Sequence, residues 1–236
     1  MMELQLLGRG SAFYPALGNT AAYVREGQRL LLLDCGETVF GELLRRGLLT
    51  KGTQITALIS HTHSDHCGSL GTLAQYCYYM LGCPLRVAVP SCNPAYARQL
   101  AGLVRTYGML EDQTAQVTDR DVTGFEAFRS VRYVPTIHAP EMPAFSFVFE
   151  TTDDGLFYSA DTCDAAPLKA FIASHPGFEA AYVDTAESDF PGCVHLSVRQ
   201  LCEAVPPALR SRVHMMHVNS ERCVELGREA GFVWDV

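Results

Sequence analysis

Four potential metal ligands stand within six residues of the sequence. In the segment HTHSDH at 61–66, three histidines and an aspartate follow an apolar stretch. Neutral imidazole and carboxylate are the groups that zinc and similar divalent cations prefer. Residues two apart share a side of extended backbone, so His61 and His63 can hold one ion, while Asp65 and His66 lie past the turn and can face a second. So many polar groups beside a buried strand would be costly without a metal or a hydrogen-bond network. The segment is therefore interpreted as a metal site.

Aspartate and histidine recur farther along the chain, each time at the end of an apolar stretch. This happens at Asp161, Asp184 and His217, and nearly so at His138. Strand ends give binding residues a rigid support. Two adjacent metal ions need about six to eight ligands, and one bridging carboxylate is useful between them. His138, Asp161 and His217 supply what the segment 61–66 lacks.

These candidate ligands need strands and helices to position them. Apolar alternation and turn residues predict strands at 4–7, 20–24, 28–33, 56–60, 85–89, 128–136, 144–151, 156–159, 180–183 and 213–216. Helical spacing and glycine or proline stops predict helices at 39–46, 69–81, 93–106, 197–204 and 221–230. The alternation of strands and helices in both halves indicates a layered α/β architecture in one domain, 1–236. Of the histidines outside the candidate set, His175 is predicted to lie in a surface turn and His214 to be structural.

Composition and charge exclude several classes of protein. The 236 residues carry 18 basic and 26 acidic side chains, a net charge of −8, so extensive nucleic-acid binding is disfavoured. Nine cysteines without a C-x-x-C pair indicate reduced thiols in a cytoplasmic protein rather than a disulfide framework. The start of the chain, MMELQLL, has no basic region, so we expect no signal peptide. No apolar run approaches about 18 residues, so we expect no membrane span.

The segment 61–66 resembles the HxHxDH signature of the metallo-β-lactamase superfamily. DCGE at 34–37 looks like an element of tRNase Z, the tRNA 3′-end endonuclease. The match continues through PTIH at 135–138, YSADT at 158–162, HLS at 195–197 and MHVNS at 216–220. The resemblance implies the αββα four-layer sandwich of that superfamily, a metal-dependent hydrolase, and the tRNase Z-like phosphodiesterase branch.

Carried over residue by residue, the resemblance implies a dinuclear zinc site, with manganese or iron as alternative metals. The implied ligands are His61, His63 and His138 for one metal, Asp65, His66 and His217 for the other, and Asp161 as the bridge. A hydroxide between the metals is the implied nucleophile, and Asp65 doubles as its base or orienter. The resemblance gives His195 the role of protonating the leaving oxygen. Asp184 stands where the branch usually has a glutamate that supports this histidine.

The sequence departs from tRNase Z in one informative place. Only 22 residues, 139–160, separate His138 from Asp161, which leaves no room for the arm that grips tRNA in that family. The opening GRGSAF at 8–13, with Asn19, resembles the anti-Pycsar cyclic-nucleotide phosphodiesterases. We therefore predict hydrolysis of a small phosphodiester such as a 3′,5′-cyclic nucleotide. The alternatives are tRNA 3′ processing and hydrolysis of a carbonyl ester, thioester or lactam. The branch also implies a homodimer, to which the helix at 69–81 could supply the interface.

Overall fold

The computed structural model describes residues 3–234, so both ends of the predicted domain 1–236, including Met1 and Met2 of the N-terminal prediction, lie outside the described residues. The chain forms two compact units. The first unit comprises Leu4–Gly8 and Gly18–Glu126, and the second comprises Glu3, Arg9–Leu17 and residues 127–234. The assignment of the whole chain to one domain stays a prediction.

The first unit contains a six-stranded sheet in the simple order β1 to β6. Its strands are β1 (Gln5–Gly8), β2 (Ala21–Glu26), β3 (Arg29–Leu33), β4 (Gln54–Leu58), β5 (Leu85–Val89) and β6 (Thr114–Thr118). The first three are antiparallel neighbours, and β3 to β6 run parallel. Parallel strands are buried on both faces and therefore read as continuous apolar runs. The Leu30–Leu33 run of β3 fits this rule, since all four side chains are buried.

Four helices connect the strands of the first unit. They are α1 (Val39–Arg45), α2 (Ser64–Cys67), α3 (Leu70–Tyr76) and α4 (Pro94–Thr106). The helix predicted at 69–81 is divided, because α3 passes into a π-helical turn at Cys77–Leu81, which Gly82 ends with a φ of 72°. Asn93 caps α4 by accepting a hydrogen bond from the backbone N–H of Tyr96.

The second unit contains a five-stranded sheet in the order β11-β10-β9-β8-β7. Its strands are β7 (Phe128–Thr136), β8 (Ala144–Thr151), β9 (Gly155–Tyr158), β10 (Ala180–Asp184) and β11 (Val213–Met216). The first three form an antiparallel meander, and β9, β10 and β11 are parallel. The residues between His138 and Asp161 are thus taken up by the β8–β9 hairpin, as the sequence predicts.

Three helices, α5 (Ala166–Ser174), α6 (Val198–Ala204) and α7 (Glu221–Glu229), belong to the second unit. Phe157, Phe171 and Phe178 lie in its apolar core with the inward side chains of β10 and β11. Ser197 and Ser220 cap α6 and α7 through their hydroxyl groups. In neither unit is any helix within residues 3–234 both long and apolar enough to cross a membrane.

Candidate metal centre

Each unit carries its candidate ligands just beyond the carboxyl ends of parallel strands. In the first unit β4 ends at Leu58, and the backbone runs through Ser60 into His61. In the second unit Asp161 follows β9, Asp184 is the last residue of β10, and His217 follows β11. The carboxyl edge of a parallel sheet is the usual place for a binding site in such folds. The structure therefore supplies two groups of candidate ligands, one in each unit.

The first group consists of His61, His63, Asp65 and His66. Nε2 of His61 lies 3.0 Å from Nδ1 of His63, so two imidazole nitrogens stand side by side. Helix α2 begins at Ser64 and carries the other two ligands, with Nε2 of His66 at 3.3 Å from Oδ2 of Asp65. The sequence motif thus forms two adjacent pairs, as the spacing of its residues indicates.

Asp34 orients two histidines of the first group, His66 by a direct hydrogen bond and His61 through the hydroxyl of Ser60. Its Oδ2 accepts a hydrogen bond from Nδ1 of His66 at 2.9 Å and another from the hydroxyl of Ser60 at 2.9 Å. Since that hydroxyl donates its proton to Asp34, it accepts from Nδ1 of His61 at 3.0 Å. Both rings therefore carry their proton on Nδ1 and present the Nε2 lone pair. A hydrogen bond from the second ring nitrogen is typical of histidines that bind metals.

Asp161 is the centre of the second group. Its Oδ2 lies 3.2 Å from Nε2 of His217 and 3.7 Å from Nε2 of His138. His138 donates from Nδ1 to the carbonyl of Val194 at 2.9 Å, which again leaves Nε2 on the side of the carboxylate. Burial lowers the pKa of His138, and the attraction of Asp161 only partly opposes this. A neutral ring is the form that binds a cation.

Asp184 and His195 lie next to Asp161 and form a hydrogen-bonded pair. Nδ1 of His195 donates to Oδ2 of Asp184 at 2.8 Å, while Oδ1 of Asp184 lies 3.5 Å from Nδ1 of His217. The backbone N–H of Thr162 also donates to Asp184. Burial lowers the pKa of His195, but attraction to Asp184, with the hydrogen bond and the nearby Asp161, raises it above its ordinary value overall.

Backbone strain is concentrated at these strand ends. Asp34, Ala160 and His217 have φ values of 63°, 50° and 55°, in the left-handed region that non-glycine residues rarely adopt. Each such residue costs about 1–3 kcal/mol and persists where the surrounding structure demands it, commonly at functional sites. The strain turns the chain sharply at the end of a strand, and at His217 it sets the direction of a candidate ligand.

The donor set fits a divalent cation. In the second unit, ligand atoms of Asp161, Asp184, His195 and His217 lie within 4.8 Å of one another. Imidazole nitrogen with carboxylate oxygen suits zinc, manganese and iron. Sequence reasoning missed Asp34, Ser60 and the Val194 carbonyl, which orient the rings. The sequence does mark Asp34 as a candidate, because it follows the apolar strand β3 just as His61 follows β4.

Comparison with known proteins identifies the family. Residues 2–233 match the family model described as Anti-Pycsar protein Apyc1. The chain belongs to this family. The Apyc1 protein of Bacillus phage 010DV004 is 30% identical over 238 residues, which cover 92% of this chain and 88% of the phage protein. That of Paenibacillus harenae is 29% identical over 228 residues, covering 92% and 89% of the two chains.

Relatives outside the Apyc1 family have the same fold. A ribonuclease Z of Mycobacterium sp. (strain KMS) is 27% identical over 250 residues, covering 98% of this chain and 81% of the mycobacterial one. The metallo-β-lactamase fold protein YhfI of Bacillus subtilis superposes with a TM-score of 0.73 at 16% identity, covering 96% and 90% of the two chains. The short form of human tRNase Z gives 0.66 at 17% identity, covering 94% of each chain. The predicted metallo-β-lactamase fold and tRNase Z-like branch are confirmed, and the Apyc1-family chain is a metal-dependent hydrolase.

Proposed function

We propose that this Apyc1-family protein hydrolyses a small phosphodiester, such as a 3′,5′-cyclic nucleotide, with the help of two zinc ions. Manganese and iron suit the same ligands. The observation that carries the proposal is the pairing of a hydrogen-bonded His195–Asp184 dyad with the Asp161 cluster, in a chain of this family. A dyad beside a metal ligand provides both parts that phosphodiester hydrolysis needs, charge stabilisation and a proton donor.

The proposed ligand set keeps the assignment that the sequence resemblance implies. It comprises His61, His63 and His138 for one metal, Asp65, His66 and His217 for the other, and Asp161 as the bridge. Its support is the approach of one Asp161 oxygen to Nε2 of two histidines, together with the Nδ1 hydrogen bonds that orient the rings. Bound metals would neutralise phosphate charge and lower the pKa of bound water.

His195 is proposed as the proton donor to the leaving oxygen. Its side chain is 27% exposed, whereas those of His138 and His217 are almost fully buried, so among these three rings it is the one that a substrate reaches. Asp184 accepts from Nδ1, which leaves Nε2 to hold the proton that is transferred. Asp184 is therefore a positioning residue that favours the charged ring. Asp65 is proposed to orient the attacking water or to accept its proton.

The second unit favours a small substrate over tRNA. The β8–β9 hairpin fills the connection in which tRNase Z carries its arm, and its turn spans only residues 152–154. The chain also carries a net charge of −8, which repels a polynucleotide backbone. A cyclic nucleotide needs no such arm, and its single phosphodiester can bind at the metals directly.

One assay tests the proposal against its alternatives. Metal-loaded protein is offered purine and pyrimidine 3′,5′-cyclic nucleotides, a precursor tRNA and a thioester. His63→Ala and His195→Ala are the test variants, and His214→Asn is the matched control, since His214 stacks on Tyr182 and is not one of the candidate ligands. We expect cyclic-nucleotide turnover that both test variants lose and the control keeps. Accurate tRNA cleavage alone, or thioester cleavage alone, would contradict the proposal.

We also infer that the protein forms a homodimer through the π-helical turn at the end of α3. Tyr79 and Met80 lie in this turn and are 67% and 63% exposed. Burying such apolar side chains against a second copy would stabilise an assembly. Light scattering of the wild type and of Met80→Lys measures this, and a monomeric wild type at micromolar concentration would refute it.

A reducing compartment, the cytoplasm, is proposed as the site of action. All nine cysteines are free thiols. Burial raises the pKa of Cys35 and Cys77 to about 12, so these thiols resist oxidation. Fractionation of the source cells would test this placement, and recovery of the protein from the culture medium would contradict it.

A further inference from the structure

A polar cavity of about 230 Å³ lies at the amino ends of the parallel strands of the first unit. Arg29, Gln54, Thr56 and Arg86 line it together with residues 123–125. Since one water takes about 30 Å³ in the liquid, the cavity can hold a larger polar group. Strands β3 and β4 begin at Arg29 and Gln54, whereas the HxHxDH motif follows the carboxyl end of β4. The cavity therefore lies at the other end of the sheet from the candidate ligands of this unit.

Strand register brings the four lining side chains onto one face. Arg29 pairs with Gln54 across β3 and β4, and Thr56 pairs with Arg86 across β4 and β5. Gln54 and Thr56 are two residues apart in one strand and so point to the same side. This arrangement collects two guanidinium groups, one amide and one hydroxyl at a single corner of the sheet.

Backbone groups orient both arginines. Arg29 donates from Nη1 to the carbonyl of Gly124, whose φ of 87° favours glycine. Arg86 donates from Nη2 to the carbonyl of Asp121 at 3.4 Å. A guanidinium has five N–H donors in a planar fork. Each arginine therefore keeps several donors for a ligand while one contact fixes its direction.

The hydroxyl of Thr56 adds a neutral hydrogen-bonding group to the lining of the cavity. Thr56 is 5% exposed, and its hydroxyl makes no hydrogen bond to any residue of 3–234. Thr56 lines the cavity, so this hydroxyl is available to a ligand that enters it. The seven described residues that line the cavity include no carboxylate. The neighbouring acids are already engaged, since Asp121 accepts from Thr118 and Glu26 accepts from the backbone of Glu126.

We propose that this cavity is a second, non-catalytic site that binds a phosphate group, as inorganic phosphate or as the terminal group of a nucleoside monophosphate. Two guanidinium forks match the oxygens of a phosphate dianion, and charge-assisted hydrogen bonds of this kind are strong. The hydroxyl of Thr56 and the amide of Gln54 add donors for the remaining oxygens. The site is independent of the metal ligands and of the proposed reaction.

Calorimetric titration tests the site with inorganic phosphate and, separately, adenosine 5′-monophosphate. His63→Ala removes a candidate metal ligand, so phosphate binding that is unchanged in this variant takes place outside the candidate metal centre. In that background we expect Arg29→Gln and Arg86→Gln each to weaken phosphate binding about tenfold or more, because each removes charged hydrogen-bond donors. Arg98→Gln, which removes an exposed charge from α4, should bind like its parent. Tighter binding of the nucleotide than of phosphate identifies the monophosphate as the ligand, and equal affinity identifies free phosphate.

Thr56→Val gives a second readout that does not depend on charge. Without phosphate this variant should melt close to the wild-type temperature, because the hydroxyl that it removes makes no hydrogen bond to residues 3–234. With phosphate, its melting temperature should rise less than that of the wild type. The proposal is overturned if the wild type shows no saturable binding at millimolar phosphate, if binding vanishes in His63→Ala, or if it survives the double variant Arg29→Gln/Arg86→Gln.

Discussion

The ring of His195 donates from Nδ1 to Oδ2 of Asp184 at 2.8 Å, so Nε2 is the nitrogen that it can offer to a substrate. The same carboxylate lies 3.5 Å from Nδ1 of His217 through its other oxygen. One buried aspartate thus orients the proposed proton donor and lies against a candidate metal ligand. The two rings stack at a centroid distance of 4.8 Å, so a shift of one moves the other.

His195→Ala should lower turnover of a cyclic nucleotide by about 10²- to 10⁴-fold, the usual contribution of a general acid. Bound metal should stay at the wild-type level. A bis(p-nitrophenyl) phosphate substrate has a leaving group that needs no protonation, so its hydrolysis should fall far less. Steady-state kinetics on both substrates measure the difference. Equal losses on the two would mean that His195 does not act as the acid.

Asp184→Asn should lower kcat for the cyclic nucleotide by about 10²-fold or more, with a smaller change in KM. An amide can donate to Nδ1 and stabilise the wrong tautomer of His195, and it no longer favours the charged ring. Asp184→Glu, which restores the residue usual in the branch, is the conservative comparison and should recover part of the rate. If Asp184→Asn instead releases metal with unchanged kcat per bound metal, the carboxylate serves His217 rather than His195.

The sequence predicts most of the strands because their apolar residues either form a continuous run or alternate with polar ones. The bounds of β5, β7, β8 and β11 agree with the predictions, and β4 begins and ends two residues earlier than predicted. Strand β6 was not predicted, since its alternating apolar residues are only Ala115 and Val117 and none of its five residues is buried. Helix α5 was also missed, because it buries only Leu168 and Phe171 of its nine residues and so carries a weak helical period.

Side-chain partners that are distant in sequence were harder to predict. His175, expected in a surface turn, is only 7% exposed and stacks on Phe171 at a centroid distance of 4.6 Å, so this prediction is wrong. Residues 174–177 do form a turn, but His175 directly follows α5, and its ring packs against the core there. Asp34 belongs to the DCGE element of the sequence, but its role was not predicted, because the hydrogen bond that it accepts from His66 joins residues 32 positions apart.

Asp34→Asn should weaken metal binding about 10- to 100-fold, the usual cost of losing a group that orients a metal ligand. Oδ2 of Asp34 accepts from the hydroxyl of Ser60 and from Nδ1 of His66, and Oδ1 accepts from the backbone N–H of Ser60, whereas an amide can accept at one oxygen only. Competition with a chromogenic chelator measures the affinity. Asp119→Asn is the matched control, because Asp119 is a buried aspartate whose carboxylate accepts, among residues 3–234, only from the backbone N–H of Ser91. A similar loss of metal in the control would indicate general destabilisation.

Gly36→Ala should prevent metal binding and destabilise the fold. A Cβ at this position would lie 1.9 Å from the carbonyl oxygen of Asp65, and backbone cannot move aside as a flexible side chain can. Gly41→Ala is the opposite case, since nothing lies within 4 Å of its Cβ in α1. There alanine should stabilise the helix by about 0.5–1 kcal/mol. Urea unfolding and metal content measure both, and a tolerated Gly36→Ala would contradict the close approach.

Glu42→Gln should destabilise the protein by about 1 kcal/mol at neutral pH, the upper range for a surface ion-pair network. Glu42 pairs with Arg45 and Arg46, and Arg46 also donates to the carbonyl of Leu6 in β1. The hydrogen bond from Arg45, with the help of Arg46, lowers the pKa of Glu42 from 4.5 to about 2. Because the pKa of Glu42 is lower in the folded protein than in the unfolded chain, the ionised carboxylate stabilises the fold at pH values above the unfolded pKa. This stabilisation is lost as the pH falls through the folded pKa.

The difference between wild type and Glu42→Gln should therefore stay constant above pH 4.5 and shrink as the pH falls toward about 2. Paired urea titrations from neutral pH to about pH 3 measure this difference. Over this range the Glu42 carboxylate binds a proton more readily in the unfolded chain than in the folded protein. Arg98→Gln, an exposed arginine without a carboxylate partner among residues 3–234, should show no such narrowing. A difference that is independent of pH would mean that packing of the Glu42 stem, rather than its charge, secures α1.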